Sequence, residues 1–325
     1  MYLKSGIITF MLKHDYLNGV NLGGWLVLER WMTPSVFKGT AAEDEYTLCS
    51  ANDPDVRNRL RQHRDSFITE KDFAWIANAG YNAVRLPVGY WALADKLPFM
   101  STKSYVDFAF AMCEKHNLKI VLQLHAAPGS QNGAVHSGRA GNVGWPTNKS
   151  NIIETIKVLR ELAERYGQRE CLAGIGLLNE PSITIPAHLL KAFYADTYTA
   201  IKPLLHKEVR LLISSRFRPL RSWLGFVFDR RFVFDNHYYL NQNNRDNSWG
   251  AIWLYTKLTG IYLTQHILGA HRSFIGEYTY RLPDKVANSA RVINRFQDFV
   301  YKRSLGSFYW NYKTETNDAW SLRIT

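Results

Sequence analysis

The sequence predicts an α/β protein folded as a single-domain (β/α)8 TIM barrel, and three observations carry that expectation. Eight short apolar runs rich in β-branched residues recur along the 325 residues. Stretches with helical periodicity lie between most of them. No Gly/Ser/Pro-rich linker or low-complexity segment divides the chain. Strands alternating with helices pair in parallel through right-handed crossovers, and eight such units close a barrel.

An extension of residues 1–18 precedes the first strand, expected over Gly19 to Trp25. A helical pattern over 69–79 leads to the second strand, Ala83 to Val88, and one over 102–116 leads to the third, Lys119 to His125. The next helix repeats its apolar residues at Ile152, Ile153, Ile156, Leu159, Leu162 and Ala163, and Gly167 closes it. The fourth strand is Gly174 to Asn179. A helical pattern over 187–206 separates it from the fifth, Val209 to Ser214. The sixth strand, Phe232 to Tyr238, the seventh, Ser273 to Tyr278, and the eighth, Ser307 to Tyr312, are spaced by helical patterns over 252–269 and 286–303. About a dozen residues remain after the eighth strand, so the closing helix is expected to be short or missing. The first 18 residues are expected to cover that gap or plug the barrel bottom. An open doubly wound sheet is the alternative, but no Gly-x-Gly-x-x-Gly or Walker-type loop follows the first strand.

Composition narrows the function. With 46% hydrophobic and 21% charged residues the chain is that of a soluble globular protein. A net charge of +12 raises the question of nucleic acid. The basic residues are dispersed, however. The densest patches, 57–64 and 216–221, carry no nucleic-acid motif and read as solvated faces. Cys49, Cys113 and Cys171 lack CxxC spacing and nearby His clusters, which argues against a zinc site or a disulfide framework. A single 49–113 or 49–171 bridge stays open. No run approaches the ~20 apolar residues of a membrane span. The apolar run at 6–12 is short and lacks a small-x-small cleavage site, so the expectation is no signal peptide and a cytoplasmic location.

In a barrel the carboxyl ends of the strands meet at one mouth, and there the chain gathers polar residues. Glu29 lies just past strand one, Arg85 near the end of strand two, and His125 ends strand three. Asn179 and Glu180 end strand four, His237 and Tyr239 strand six, Glu277 strand seven, and Trp310 strand eight. Singly, a strand arginine can be a salt-bridged barrel residue, a histidine a satisfied core residue, and a tryptophan core. So many together would each need its own buried partner. Glu180 and Glu277 are the expected catalytic pair, because glycosidic cleavage needs one protonated and one ionised carboxyl. Arg85 beside Glu277 would keep that carboxylate ionised, and Tyr239 could donate to it. Asn179 is placed to bind the sugar hydroxyl nearest the reacting carbon, and Trp310 to offer a flat face.

These residues resemble glycoside hydrolase family 5, and within it the fungal exo-β-1,3-glucanase branch. The segments that carry the likeness are 19–29 (Gly-Val-Asn-Leu-Gly-Gly-Trp-Leu-Val-Leu-Glu), 81–91, 125–133 (His-Ala-Ala-Pro-Gly-Ser-Gln-Asn-Gly), 178–181 (Leu-Asn-Glu-Pro), 237–239, 275–277 and 310–315. The resemblance implies Glu180 as acid/base, Glu277 as nucleophile, and retention of configuration. It also implies Arg85, His125, Asn179, His237, Tyr239 and Trp310 as the substrate-binding shell, with Glu29 holding the terminal glucosyl unit. It implies no cofactor and no metal. The implied substrate is a β-glucan or β-gluco-oligosaccharide, foremost β-1,3-glucan. Transglycosylation and endo-β-1,4 or β-1,6 cleavage are the alternatives, and a non-catalytic glycan-binding barrel the distant one. One segment departs from the pattern. Where the fungal enzymes carry an aromatic and an Asp on the acceptor side, this chain reads Ala134-Val135-His136-Ser137-Gly138-Arg139. His136, Arg139 and Trp145 are the candidates to replace them.

Overall fold

The computed structural model describes residues 16–215, 229–240, 250–269, 272–316, 318 and 320–323. Eight parallel strands close a barrel in sequence order, which excludes the open sheet. They are β1 Leu17–Asn21, β2 Ala83–Gly89, β3 Lys119–Ala126, β4 Leu172–Gly176, β5 Arg210–Ser214, β6 Val233–Tyr238, β7 Ser273–Tyr278 and β8 Gly306–Tyr309. β8 pairs back onto β1 from Leu17 to Val20. Residues 17 and 18, expected in an extension, are therefore strand; residues 1–15 of that extension lie outside the described residues.

Three strands end earlier than the apolar runs suggest. Apolar residues that leave the ladder still bury their side chains, so hydrophobicity overshoots the strand. β1 stops at Asn21, and Gly24 then turns with φ +75° while Trp25 stays buried. β4 stops at Gly176, although the Asn179 N–H still reaches the Leu124 carbonyl at 2.9 Å. β8 stops at Tyr309, just before a cis Trp310–Asn311 peptide.

The helices expected over 69–79, 102–116, 187–206, 252–269 and 286–303 are present, as is the one around Ile152–Ala163. Two more precede them, α1 Glu45–Ser50 and α2 Pro54–Ser66. α3 is Glu70–Asn78, α4 Lys103–Lys115, α5 Lys149–Tyr166, α6 Ala187–Ile201, α7 Gly250–Leu268 and α8 Ala290–Tyr301. α2 keeps Arg57, Arg59 and Arg61 of the basic patch 57–64 on its half-buried or exposed side but corrects the reading of that patch as a solvated face for Arg64, which is buried. Asp53 caps it, Pro54 fills its first turn, and Val56, Leu60, His63 and Arg64 are buried at i, i+4, i+7 and i+8. Arg64 Nη2 donates to Glu45 Oε1 at 2.8 Å inside the protein. The other basic patch, 216–221, lies outside the described residues.

Among the described residues no helix follows β8. The segment after it is instead pinned to α3, where Asp72 Oδ1 accepts from Tyr312 Oη (2.9 Å), Lys313 Nζ (2.9 Å) and Arg323 Nη1 (2.7 Å). The three cysteines are free and buried, so neither bridge forms. Among the described residues no helix is long and apolar enough to cross a membrane.

Alternation along the strands sorts the core into two compartments. Val84, Leu86 and Val88 of β2 and Ile120, Leu122 and Leu124 of β3 face outward to the helices. Ala83, Val121, Leu212, Val233, Phe274 and Phe308 fill the bottom of the barrel interior. Above them the interior turns polar, and two glycines make the room. A Cβ on Gly176 would lie 1.6 Å from Gln123 Oε1, and one on Gly276 would lie 2.0 Å from Asp235 Oδ1.

Candidate active site

Arg85, fully buried on β2, organises the barrel mouth. Its Nη1 donates to Glu277 Oε1 and to Asn21 Oδ1, both at 2.9 Å. Its Nη2 donates to Asn179 Oδ1 at 3.0 Å and Asp235 Oδ2 at 3.3 Å. A buried guanidinium without such partners would cost several kcal/mol. Asp235 is held below the usual carboxylate range: burial pushes its pKa up, and the Arg85 and His237 cations outweigh that.

Glu277 is gripped at both oxygens. Tyr239 Oη donates to Oε2 at 2.6 Å while Arg85 holds Oε1. Burial and the neighbouring Glu277 push the Tyr239 phenol well above its ordinary value, so it stays a neutral donor.

Glu180 leaves the barrel wall with φ +43°, a left-handed backbone uncommon for any residue with a side chain. Asn132 steadies it, donating from Nδ2 to the Glu180 carbonyl at 3.1 Å. Its carboxylate sits between two imidazoles, His237 Nδ1 at 2.5 Å from Oε1 and His136 Nε2 at 3.3 Å from Oε2. Burial pushes Glu180 up, but His237, His136 and Arg85 together bring it below its ordinary value. His237 is raised to about 10: burial lowers it, and Glu277, Asp235 and Glu180 overcome that. Of this hydrogen-bonded pair the proton therefore sits on His237, not on Glu180 where the two-carboxyl argument expects it. One donor atom each from Glu180, His237 and Glu277 lies within 4.8 Å of the others. That is a spacing at which a cation could sit, but the Arg85 guanidinium already neutralises this ground.

The rest of the predicted shell converges here. His125 is buried and kept neutral, chiefly by burial and then by His136, Arg85 and His237. Its ring stacks on Trp310 at 5.7 Å. Asn179 Nδ2 is buried without a partner among the described residues, a donor left for a ligand hydroxyl. Glu29 reaches the same mouth from the segment after β1; burial raises its carboxyl, Glu277 and Glu180 add to that, and His136 opposes it. Trp31 Nε1 donates to Glu29 Oε2 at 2.8 Å, and the Trp31 ring meets the edge of Trp320 at 5.8 Å. Trp320 in turn meets Tyr239 at 5.6 Å, giving the mouth an aromatic side.

Of the three candidates in the 134–145 segment, His136 alone touches the carboxylates. Arg139 lies 4.1 Å over the ring of Tyr46. Trp145 is core: fully buried, it donates to Thr155 Oγ1 at 2.9 Å and packs on Phe193. Sequence reasoning passed over Asn21, Asp235 and Gln131. Asp235 had a signal, because a charge two residues before His237 in one strand shares its face. Gln131 had none. Its Nε2 donates to the carbonyls of His125 (2.7 Å) and Asn179 (2.9 Å), tying β3 to the segment after β4. A cavity of about 490 Å³ between α2 and the segment after β8, lined by Arg59, His63, Phe67 and Lys313, shares none of these residues.

The chain is similar to known proteins in sequence and in fold. Residues 49–316 match the family model for cellulase (glycosyl hydrolase family 5). A probable glucan 1,3-beta-glucosidase A of Emericella nidulans is 39% identical over 280 residues, 83% of this chain and 68% of that protein. Its namesake from Aspergillus niger is 32% identical over 364 residues, 97% and 87% of the two chains. Among solved structures, a rutinosidase from Aspergillus niger superposes with a TM-score of 0.76 at 19% identity, covering 95% of this chain and 93% of that one. That likeness speaks to the fold.

Proposed function

We propose a mode of action and a substrate for this chain, which belongs to glycosyl hydrolase family 5: it releases glucosyl units from the ends of β-1,3-glucan or related β-gluco-oligosaccharides with retention of configuration. The observation that carries the reading is the pair Glu180 and Glu277, a carboxylate oxygen of one lying within 4.8 Å of a carboxylate oxygen of the other. Retaining glycosidases hold their carboxyls ~5–5.5 Å apart, and inverting ones leave ~6.5–9.5 Å for a water.

Glu277, ionised and aimed by Arg85 and Tyr239, attacks the anomeric carbon and forms a glycosyl ester. Glu180 delivers a proton to the departing oxygen. Its supply is adjacent. As Glu277 becomes an ester it loses the negative charge that most strongly favours protonated His237. The His237 proton is thereby freed to move through Glu180. Glu180 then takes a proton from the incoming water, which releases the sugar. Asn179 Nδ2 is placed to bind the hydroxyl beside the reacting carbon, a contact that strengthens in the transition state. Glu29, aromatic Trp31 and the names of the relatives support terminal β-1,3 action.

A panel of laminari-, gentio- and cello-oligosaccharides, with products followed by proton NMR, tests this. Glucose alone from the laminari series, appearing first as the β-anomer, is expected. First-formed α-glucose would overturn retention, and early oligosaccharide products would overturn terminal action. Glu277→Ala is expected to be inactive on every substrate and to regain turnover of an activated aryl β-glucoside with azide, giving the α-glucosyl azide.

A further inference from the structure

The exposed apolar side chains of the barrel gather on one flank. Five of the nine large ones exposed among the described residues, Ile252, Trp253, Leu263, Val292 and Phe299, belong to α7 and α8. The two helices run side by side and parallel, with Tyr255 packed on Phe296 at 5.8 Å and Tyr262 on Phe299 at 6.1 Å. On α7, Ile252, Thr256, Thr259 and Leu263 recur at i, i+4, i+7 and i+11, a single outward stripe. Thr256 spends its hydroxyl on the Ile252 carbonyl at 2.9 Å, so its polarity stays within the helix. On α8 and just past it, Val292, Arg295, Phe299 and Arg303 recur at i, i+3, i+7 and i+11 beside that stripe. Ile252 and Val292 are 58% exposed, Leu263 51% and Phe299 50%, too far out for the core to account for them.

Charge on this flank has one sign. The single charged residue of α7, Lys257, turns inward, donating from Nζ to the Tyr239 carbonyl at 3.1 Å. The single acid of α8, Asp298, is half-buried and accepts from Tyr280 Oη at 2.6 Å. Arg291, Arg295, Lys302 and Arg303 are exposed. The Arg303 guanidinium lies 4.6 Å over the Tyr262 ring and 4.9 Å over Phe299, on the apolar stripe itself. Apolar side chains flanked by cations, with no exposed acid on either helix, complement a surface that is anionic outside and apolar beneath. A second copy of the chain fits less well, because two-fold pairing of this flank would set its arginines against one another.

We infer that the α7–α8 flank docks peripherally on a membrane rich in anionic lipid, with Leu263 and Phe299 entering the headgroup layer and Arg295 and Arg303 meeting the headgroups. The reactive carboxylates stand at the carboxyl ends of the strands, so docking by the outer helices leaves the barrel mouth open.

Co-sedimentation with phosphatidylcholine vesicles, with and without about one third phosphatidylserine, tests this. The native protein is expected to pellet with the anionic vesicles and stay in solution with the neutral ones, and to be released as salt rises from about 0.1 to 0.5 M. Arg295→Gln with Arg303→Gln should weaken binding to the anionic vesicles roughly 10- to 30-fold. Leu263→Glu with Phe299→Glu should abolish it while leaving the melting temperature within about 3 °C of native, since all four side chains lie at the surface. Native protein that ignores anionic vesicles, or binds neutral ones equally well, would overturn the inference. So would either double variant binding as the native protein does. Light scattering decides the rival occupant: a native dimer that Leu263→Glu with Phe299→Glu breaks, without vesicle binding, would assign the flank to a second copy and overturn the membrane reading. No readout uses turnover, so the outcome is independent of the substrate proposed above.

Discussion

Asp235 gains its partners Arg85 and His237 inside the closed barrel, and Asp235→Asn tests the electrostatics of the whole mouth. Its Oδ2 lies 3.6 Å from His237 Nε2 and 3.3 Å from Arg85 Nη2. At an effective dielectric of ~20, unit charges at that separation interact by about 4–5 kcal/mol, or roughly three pKa units. Arg85 Nη2 is itself 3.5 Å from His237 Nε2 and would repel the imidazolium once Asp235 is neutral. Glu277 and Glu180 still support it. His237, raised to about 10 in the native protein, is therefore expected to titrate near ~7–8 in the variant. The sign for stability follows. A histidine whose folded pKa is raised contributes fully below its unfolded value near 6.5, and the contribution disappears as pH rises toward about 10. In the variant the contribution is already small at pH 6 and gone by ~7–8, while the native one is still being lost on the way to about 10, so the gap between native and variant stability is largest at low pH and should narrow between pH 6 and pH 9 by about 2 kcal/mol. Histidine-selective NMR, assigned with His237→Gln, gives the titration, and urea midpoints at the two pH values give the stability. A His237 titration within half a unit of native in Asp235→Asn would refute the ion-pair account.

Two further outcomes test the scaffold. Arg64→Met strands Glu45, which is fully buried, and should destabilise the protein by about 3–5 kcal/mol, lowering Tm by roughly 4–7 °C; the double change Glu45→Leu with Arg64→Met should recover most of it, and a loss below about 1 kcal/mol for the single change would contradict a buried pair. Gly276→Ala drives a Cβ to 2.0 Å from Asp235 Oδ1, so kcat should fall more than about tenfold alongside a stability cost of about 1–3 kcal/mol; native-like turnover would mean that the polar layer can yield.

The barrel was legible because its signals are local. Apolar runs and helical stripes are written in neighbouring residues, and eight polar residues at or just past the strand ends pointed to one mouth. Strand ends were less legible. Leu177, Leu178 and Tyr312 are as buried as strand residues, and hydrophobicity does not distinguish a ladder from a buried turn. α2 was hidden by its own arginines: the period at Val56, Leu60 and His63 is present, but a charged surface masks it until Glu45 is found opposite Arg64.

What the sequence determined by itself was the inventory: the eight-fold alternation, the two carboxylates and the shell of Arg85, His125, Asn179, His237 and Tyr239 around them. What only the tertiary structure decided was where the charges and protons reside. Asn21, Asp235 and Glu277 are 64, 150 and 192 positions from Arg85, and they meet only when the barrel closes. The proton store at His237 depends on three carboxylates arriving from different strands or the segments after them. Electrostatic energies follow distances of a few ångströms through a low-dielectric interior, and no spacing along a chain contains those distances.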